Sequence, residues 1–119
     1  MENQLTILSE SLDKKLEVLQ KIREYNKRQE EIFSAEEVDM SLFDDAVEEK
    51  QRLIDEVVHL DEGFEIMYEK LAKELEGNRE RYAAQIRELQ KKVSRVTELS
   101  VTVQAQEARN KKLIENYFA

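Results

Sequence analysis

The stretch that decides the fold is YAAQIRELQKKVSRVTELSVTVQAQEARNKKLIENYF, residues 82–118. Along it, Tyr82, Ile86, Leu89, Val93, Val96, Ser100, Val103, Glu107, Asn110, Ile114 and Tyr117 are spaced alternately four and three apart. That is a heptad pattern, the mark of a long helix that packs along a seam. From Ser100 onward the period persists while its content changes. A serine, a glutamate and an asparagine take positions where an apolar residue is expected, and Leu113, Ile114, Tyr117 and Phe118 still follow.

Upstream of this stretch lies EGN, residues 76–78, a break in the pattern. Gly77 suits the position just past a helix end, where the backbone turns left-handed. Before it, residues 41–75 carry a second seam of Phe43, Val47, Lys50, Ile54, Val57, Asp61, Phe64, Tyr68, Leu71 and Leu75. Gly63 falls inside that segment, where glycine costs about 1 kcal/mol against alanine and a bend is expected. An earlier break, SAEEVDMS at residues 34–41, offers Asp39 or Ser41 as the cap of the second helix. Residues 3–34 form the first segment, with Leu5, Leu8, Leu12, Leu19, Ile22 and Phe33 at helical spacing.

These readings predict an all-α protein, an elongated antiparallel three-helix bundle or coiled coil, with helices at about 3–34, 41–75 and 79–117. The 119 residues suit a single domain, and the absence of proline suits long helices. The second and third helices are expected to be about 50–60 Å long. A shallow core of this kind gains from pairing with a second chain, so a homodimer is a natural alternative to a monomer.

Charge is divided unevenly. Residues 1–35 hold six basic and seven acidic groups, residues 36–77 four and fifteen, and residues 78–119 nine and five. The acidic middle and the basic third segment are expected to attract each other side by side. A net charge of −8 argues against nucleic acid as a partner. No apolar run is long enough to span a membrane, and none resembles a leader, so a soluble cytoplasmic protein without membrane insertion is expected.

The sequence holds no catalytic constellation. With no cysteine, thiol chemistry and thiolate metal sites are excluded. Glu56 and His59 form Glu-x-x-His on a helix, the spacing used in di-iron bundles, but the chain has one histidine and neither residue is on the core seam. The acidic group Glu36, Glu37, Asp39, Asp44, Asp45, Glu48 and Glu49 lacks the glycine-containing loop of an EF-hand, and carboxylates are favourable near a helix start in any case. Lys91, Lys92 and Arg95 have no interleaved aromatics and are expected to face the acidic second helix. The reading is a non-enzymatic protein with no cofactor and no metal.

Six polar residues sit on the seams toward the first turn: Asn26, Gln29, Lys50, Ser100, Glu107 and Asn110. An unpaired buried polar group costs roughly 1–3 kcal/mol. Two readings follow. In one, the six satisfy one another, with Lys50 paired to Glu107, and fix the register. In the other, this end is open and receives an amphipathic helix from a partner. The second reading makes Leu99, Ser100, Val103, Glu107, Asn110, Leu113, Ile114, Tyr117 and Phe118 the partner-binding residues.

The segment SLFDDAVEEKQRLIDEVVHLDEGFE resembles the part of FlgN-type flagellar export chaperones that opens their second helix. Leu42, Val47, Lys50, Gln51, Leu53, Leu60 and Asp61 carry the likeness, and EARNKKLIENYF is similar to the family's last helix through Asn110, Leu113 and Ile114. Where the family often has an arginine after the second helix's leucine-rich stretch, this chain reads EGFEIMYEK. The resemblance implies a cytoplasmic, helical chaperone. Such a protein would bind the C-terminal helical segments of hook-filament junction proteins (FlgK and FlgL type), prevent their premature assembly and deliver them to the flagellar type III export apparatus. It also implies that the binding surface lies on the last helix. Export factors of the FliT or FliJ type and a self-associating coiled-coil scaffold share the same heptads and are the alternatives.

Overall fold

A computed structural model describes residues 2–119. Three helices, α1 (Glu2–Ser34), α2 (Met40–Leu75) and α3 (Ala83–Phe118), form an all-α rod of 60 × 20 × 19 Å. They run up, down and up, so α3 is parallel to α1 and α2 is antiparallel to both. The central element is α1. Both α2 and α3 pack closely against it, whereas no Cα atom of α2 comes within 8 Å of one in α3.

That asymmetry follows from which helix offers apolar groups on two sides. α1 buries Leu5, Leu8, Leu12, Val18, Leu19 and Ile22, a band wider than one heptad seam. Two clusters result. One gathers Leu12, Val18, Leu19 and Ile22 with Val96, Leu99 and Val103, and the other gathers Leu5 and Leu8 with Leu71, Leu75 and Tyr82. Phe64 and Leu89 pack against both, so the apolar core is continuous along the rod.

Half of each expected seam holds, with Leu71 and Leu75 before the second turn and Tyr82, Val96, Val103 and Asn110 after it buried, and the other half is displaced by one residue. On α2, Ala46 is buried and Leu53, Leu60 and Met67 are half-buried, while Val47, Asp61 and Tyr68 are exposed. On α3, Leu99 is buried and Lys92 half-buried, while Val93 is exposed and Ser100 only half-covered. Each helix rolls toward α1, the neighbour it touches most closely, and away from the other. Lys92 follows the same logic. Its ammonium donates to Ser9 Oγ at 2.6 Å and pairs with Asp13 at 2.9 Å, both on α1, rather than meeting the acidic α2. The acidic and basic helices are therefore not held together by their opposite charges.

The connections also differ from expectation. Asp39 is the cap of α2, accepting from the N–H groups of Ser41 at 3.0 Å and Leu42 at 3.3 Å. Replacing Asp39 with alanine is expected to cost about 1 kcal/mol, measured by urea unfolding. Gly77 does not take a left-handed conformation, and α2 closes at Glu76 with right-handed φ −52° and ψ −37°. The Asn78 side chain takes over the capping role by donating to the Glu74 carbonyl at 3.2 Å. Residues 76–82 are spent in hydrogen-bonded turns, so α3 starts at Ala83 rather than Arg79.

Gly63 does not break α2. A methyl group there would meet nothing within 4 Å. Gly63→Ala is therefore expected to stabilise the protein by about 0.5–1 kcal/mol, read as a higher melting temperature.

Candidate functional site

The polar seam residues meet in one layer near the α1–α2 turn. Lys50 lies at its centre, with its three ammonium protons directed at three acceptors. Its Nζ donates to Gln29 Oε1 at 2.9 Å, Glu107 Oε2 at 3.0 Å and Asn26 Oδ1 at 3.2 Å. Asn110 donates to the Asn26 backbone carbonyl at 2.8 Å and reaches Gln29 Oε1 at 3.5 Å. Asn26 in turn donates to Gln106 Oε1 at 3.4 Å. Five of the six polar seam residues thus satisfy one another, as the first of the two sequence readings expects. Ser100 lies about two turns before Glu107 on α3, outside the layer.

The network ties all three helices at one level. The Lys50–Glu107 pair is also the only α2–α3 ion pair among the described residues. Its sense is opposite to the bulk charges, since the base comes from the acidic helix and the acid from the basic one. One group is left over. Glu107 Oε1 is buried and has no hydrogen-bond partner among the described residues. A cleft of about 530 Å³ opens beside it, lined by Gln29, Lys50, Glu107, Ala108, Asn110, Lys111, Ile114 and Glu115.

Beyond this layer the bundle ends in aromatic rings. Phe33 from α1 meets Phe43 from α2 edge-on at 4.7 Å and Tyr117 from α3 at 5.4 Å, and Tyr117 meets Phe118 at 5.0 Å. Edge-to-face pairs of this kind contribute about 0.5–1.5 kcal/mol each beyond their buried area. They dock the last turn of α3 onto the other two helices. Tyr117 is nevertheless 50% exposed, Phe118 64% and Leu42, at the start of α2, 55%.

The residues expected to bind a partner separate into two groups. Leu99, Val103 and Asn110 are buried and hold the bundle together. Glu107 and Ser100 are half-buried, as are Leu113 and Ile114, while Tyr117 and Phe118 face solvent. The accessible set is thus the terminal one, together with Glu107. Phe33, Phe43 and Leu42 belong to the same end and were not among the expected binding residues. The signal for them was their place on either side of the first turn, which the up-down-up topology brings beside the end of α3.

The other candidate chemistries are dispersed. Glu56 pairs with Lys14 at 3.9 Å and His59 is exposed. Among the described residues no group of three or more potential ligands is placed to hold a metal ion, and no helix is long and apolar enough to cross a membrane. Comparison with protein-family models, curated proteins and solved structures finds no match for this chain.

Proposed function

We propose that this chain is a helix-binding export chaperone of the FlgN type, acting in the cytoplasm. Its client would be the C-terminal helical segment of a hook-filament junction protein of the FlgK or FlgL type. It would keep that segment from assembling early and hand it to the flagellar export apparatus. The observation that carries this reading is the end of α3, where Tyr117 and Phe118 are exposed and Leu113 and Ile114 only half-covered, beside the cleft at Glu107.

An amphipathic helix laid against this end gains from both chemistries. Its apolar side covers Ile114, Tyr117, Phe118 and Leu42, surface that otherwise stays in water. A donor on its polar side, arriving through the cleft, pairs with the Glu107 carboxylate once that side chain turns toward it. The side chain is 39% exposed, and its Oε1 is without a partner among the described residues. Leu99, Val103 and Asn110 stay in the core, so the client adds a helix to the bundle rather than replacing one.

The Leu113→Ser, Ile114→Ser double variant tests this. Half-burial of two aliphatic side chains against a client is worth about 2–3 kcal/mol, so affinity should fall roughly 30- to 150-fold. Helicity by circular dichroism should stay unchanged and the melting temperature should fall by only a few degrees. A collapse of the melting transition instead would make these residues ordinary core. Unchanged affinity for the junction-protein helix would place the client elsewhere.

A further inference from the structure

The α2–α3 side of the rod is a face with the pattern of a seam but without the burial of one. On α2 the heptad positions Val47, Ile54, Asp61 and Tyr68 turn toward it, and on α3 the positions Ile86, Val93 and Ser100. None of these is fully buried, and Tyr68 and Val93 are exposed, as are Val58 and Val101 at the edges of the same face. The stripe Ile86, Gln90, Val93, Thr97, Val101, Gln104 and Ala108 carries no charge on a helix otherwise rich in it. On α2 the charges in this stripe are Asp61, already bonded to Lys15 at 2.6 Å, and Glu65.

The charges flanking the face point to its occupant. α2 holds four basic and eleven acidic residues, net −7, and α3 seven basic and four acidic, net +3. Within one chain this contrast is not used, because the only ion pair between the two helices among the described residues, Lys50–Glu107, has the opposite sense. A second copy uses it. Two identical faces can meet through a two-fold axis in two ways. An axis across the rod lays acidic α2 on acidic α2. An axis along the rod lays α2 of each copy on α3 of the other, so that opposite charges meet throughout.

We propose that the α2–α3 face binds a second copy of this chain about a two-fold axis along the rod, forming a six-helix dimer. That axis preserves level, so each residue of α2 meets the same level of α3 that it faces within its own chain, as Lys50 faces Glu107. Val58 of one copy then lies at Val101 of the other, and Tyr68 lies between Ile86 and Val93. Apolar side chains that the heptad pattern provides for burial become buried. The contact runs up to Ala108 at the rim of the Glu107 cleft, while Tyr117 and Phe118 lie beyond it, so the dimer does not depend on the client reading.

The chain has no cysteine, which allows a direct test. The intact protein carrying Val58→Cys is mixed with the intact protein carrying Val101→Cys and oxidised. Ile7→Cys, exposed on α1, serves as the control. The expected product is the mixed 58–101 disulfide, well above the Val58–Val58, Val101–Val101 or Ile7 products. Sedimentation of the unmodified protein should show a dimer in the micromolar range. Its dissociation constant should rise with salt, and at least about tenfold in Val58→Glu. A monomer throughout that range would overturn the inference and leave the face to a helix of another protein. A dimer that cross-links equally through Ile7, or through like residues, would overturn it as well.

Discussion

Ile22→Ala is expected to cost about 2–5 kcal/mol, and Val93→Ala less than about 0.5 kcal/mol. Both residues are β-branched, both lie at heptad positions and both belong to 30-odd-residue helices, so the sequence alone ranks them equally. The structure does not. Ile22 is 2% exposed on the central helix, within the cluster that joins α1 to α3, whereas Val93 is 44% exposed on the face turned toward α2. Removing the Ile22 methyl and methylene groups leaves a cavity that neighbours on two helices cannot both fill. A rod of this size has about 5–15 kcal/mol of stability to lose, so Ile22→Ala removes a large part of it. Urea unfolding of dilute protein checks both values. Equal effects would contradict the role given to α1 as the helix on which the other two are mounted.

Lys50→Ala is the second large effect. The Lys50 side chain is 12% exposed, and its loss removes a donor from Asn26, Gln29 and Glu107 at once. Breaking a buried pair by removing one partner costs about 3–5 kcal/mol, and water reaching Glu107 from the cleft brings the expected value to about 2–3 kcal/mol. Adding Glu107→Met to Lys50→Met should recover part of the loss, because no charge is then left without a partner, and Asn110 still donates to Gln29 and the Asn26 carbonyl. The double-mutant cycle reads that coupling directly. Additive costs would mean that Lys50 and Glu107 act independently.

The polar layer was legible because levels can be counted outward from the two turns, and that count puts Lys50 beside Glu107. The three helices were legible from spacing and from the missing proline. What spacing does not settle is where a seam is centred. Ala46 and Val47, or Leu99 and Ser100, are one residue apart, about 100° around the helix, and both lie near an amphipathic stripe. Which one is buried depends on where the neighbouring helices stand. Because α1 is the close neighbour of both α2 and α3, the stripes on its side are covered and those facing across are not. Net charge points Lys92 toward α2, yet its ammonium reaches Ser9 and Asp13 of α1 for the same reason. Residue type alone favours Gly77 as a left-handed stop, yet the Asn78 amide satisfies the end of α2 and removes the need for one. A client leaves the least trace of all, since exposed positions such as Phe118 carry no packing constraint within the chain.

The most direct measurement is amide hydrogen exchange of the protein with and without a C-terminal helical fragment of a hook-filament junction protein. The last turn of a helix opens readily, so binding there is visible as slowed exchange. The proposed function predicts protection gained from Glu107 to Phe118 and at the start of α2 around Leu42, with the second-turn end unchanged. No change in any helix at saturating fragment, or protection confined to Ile86–Val101, would contradict it.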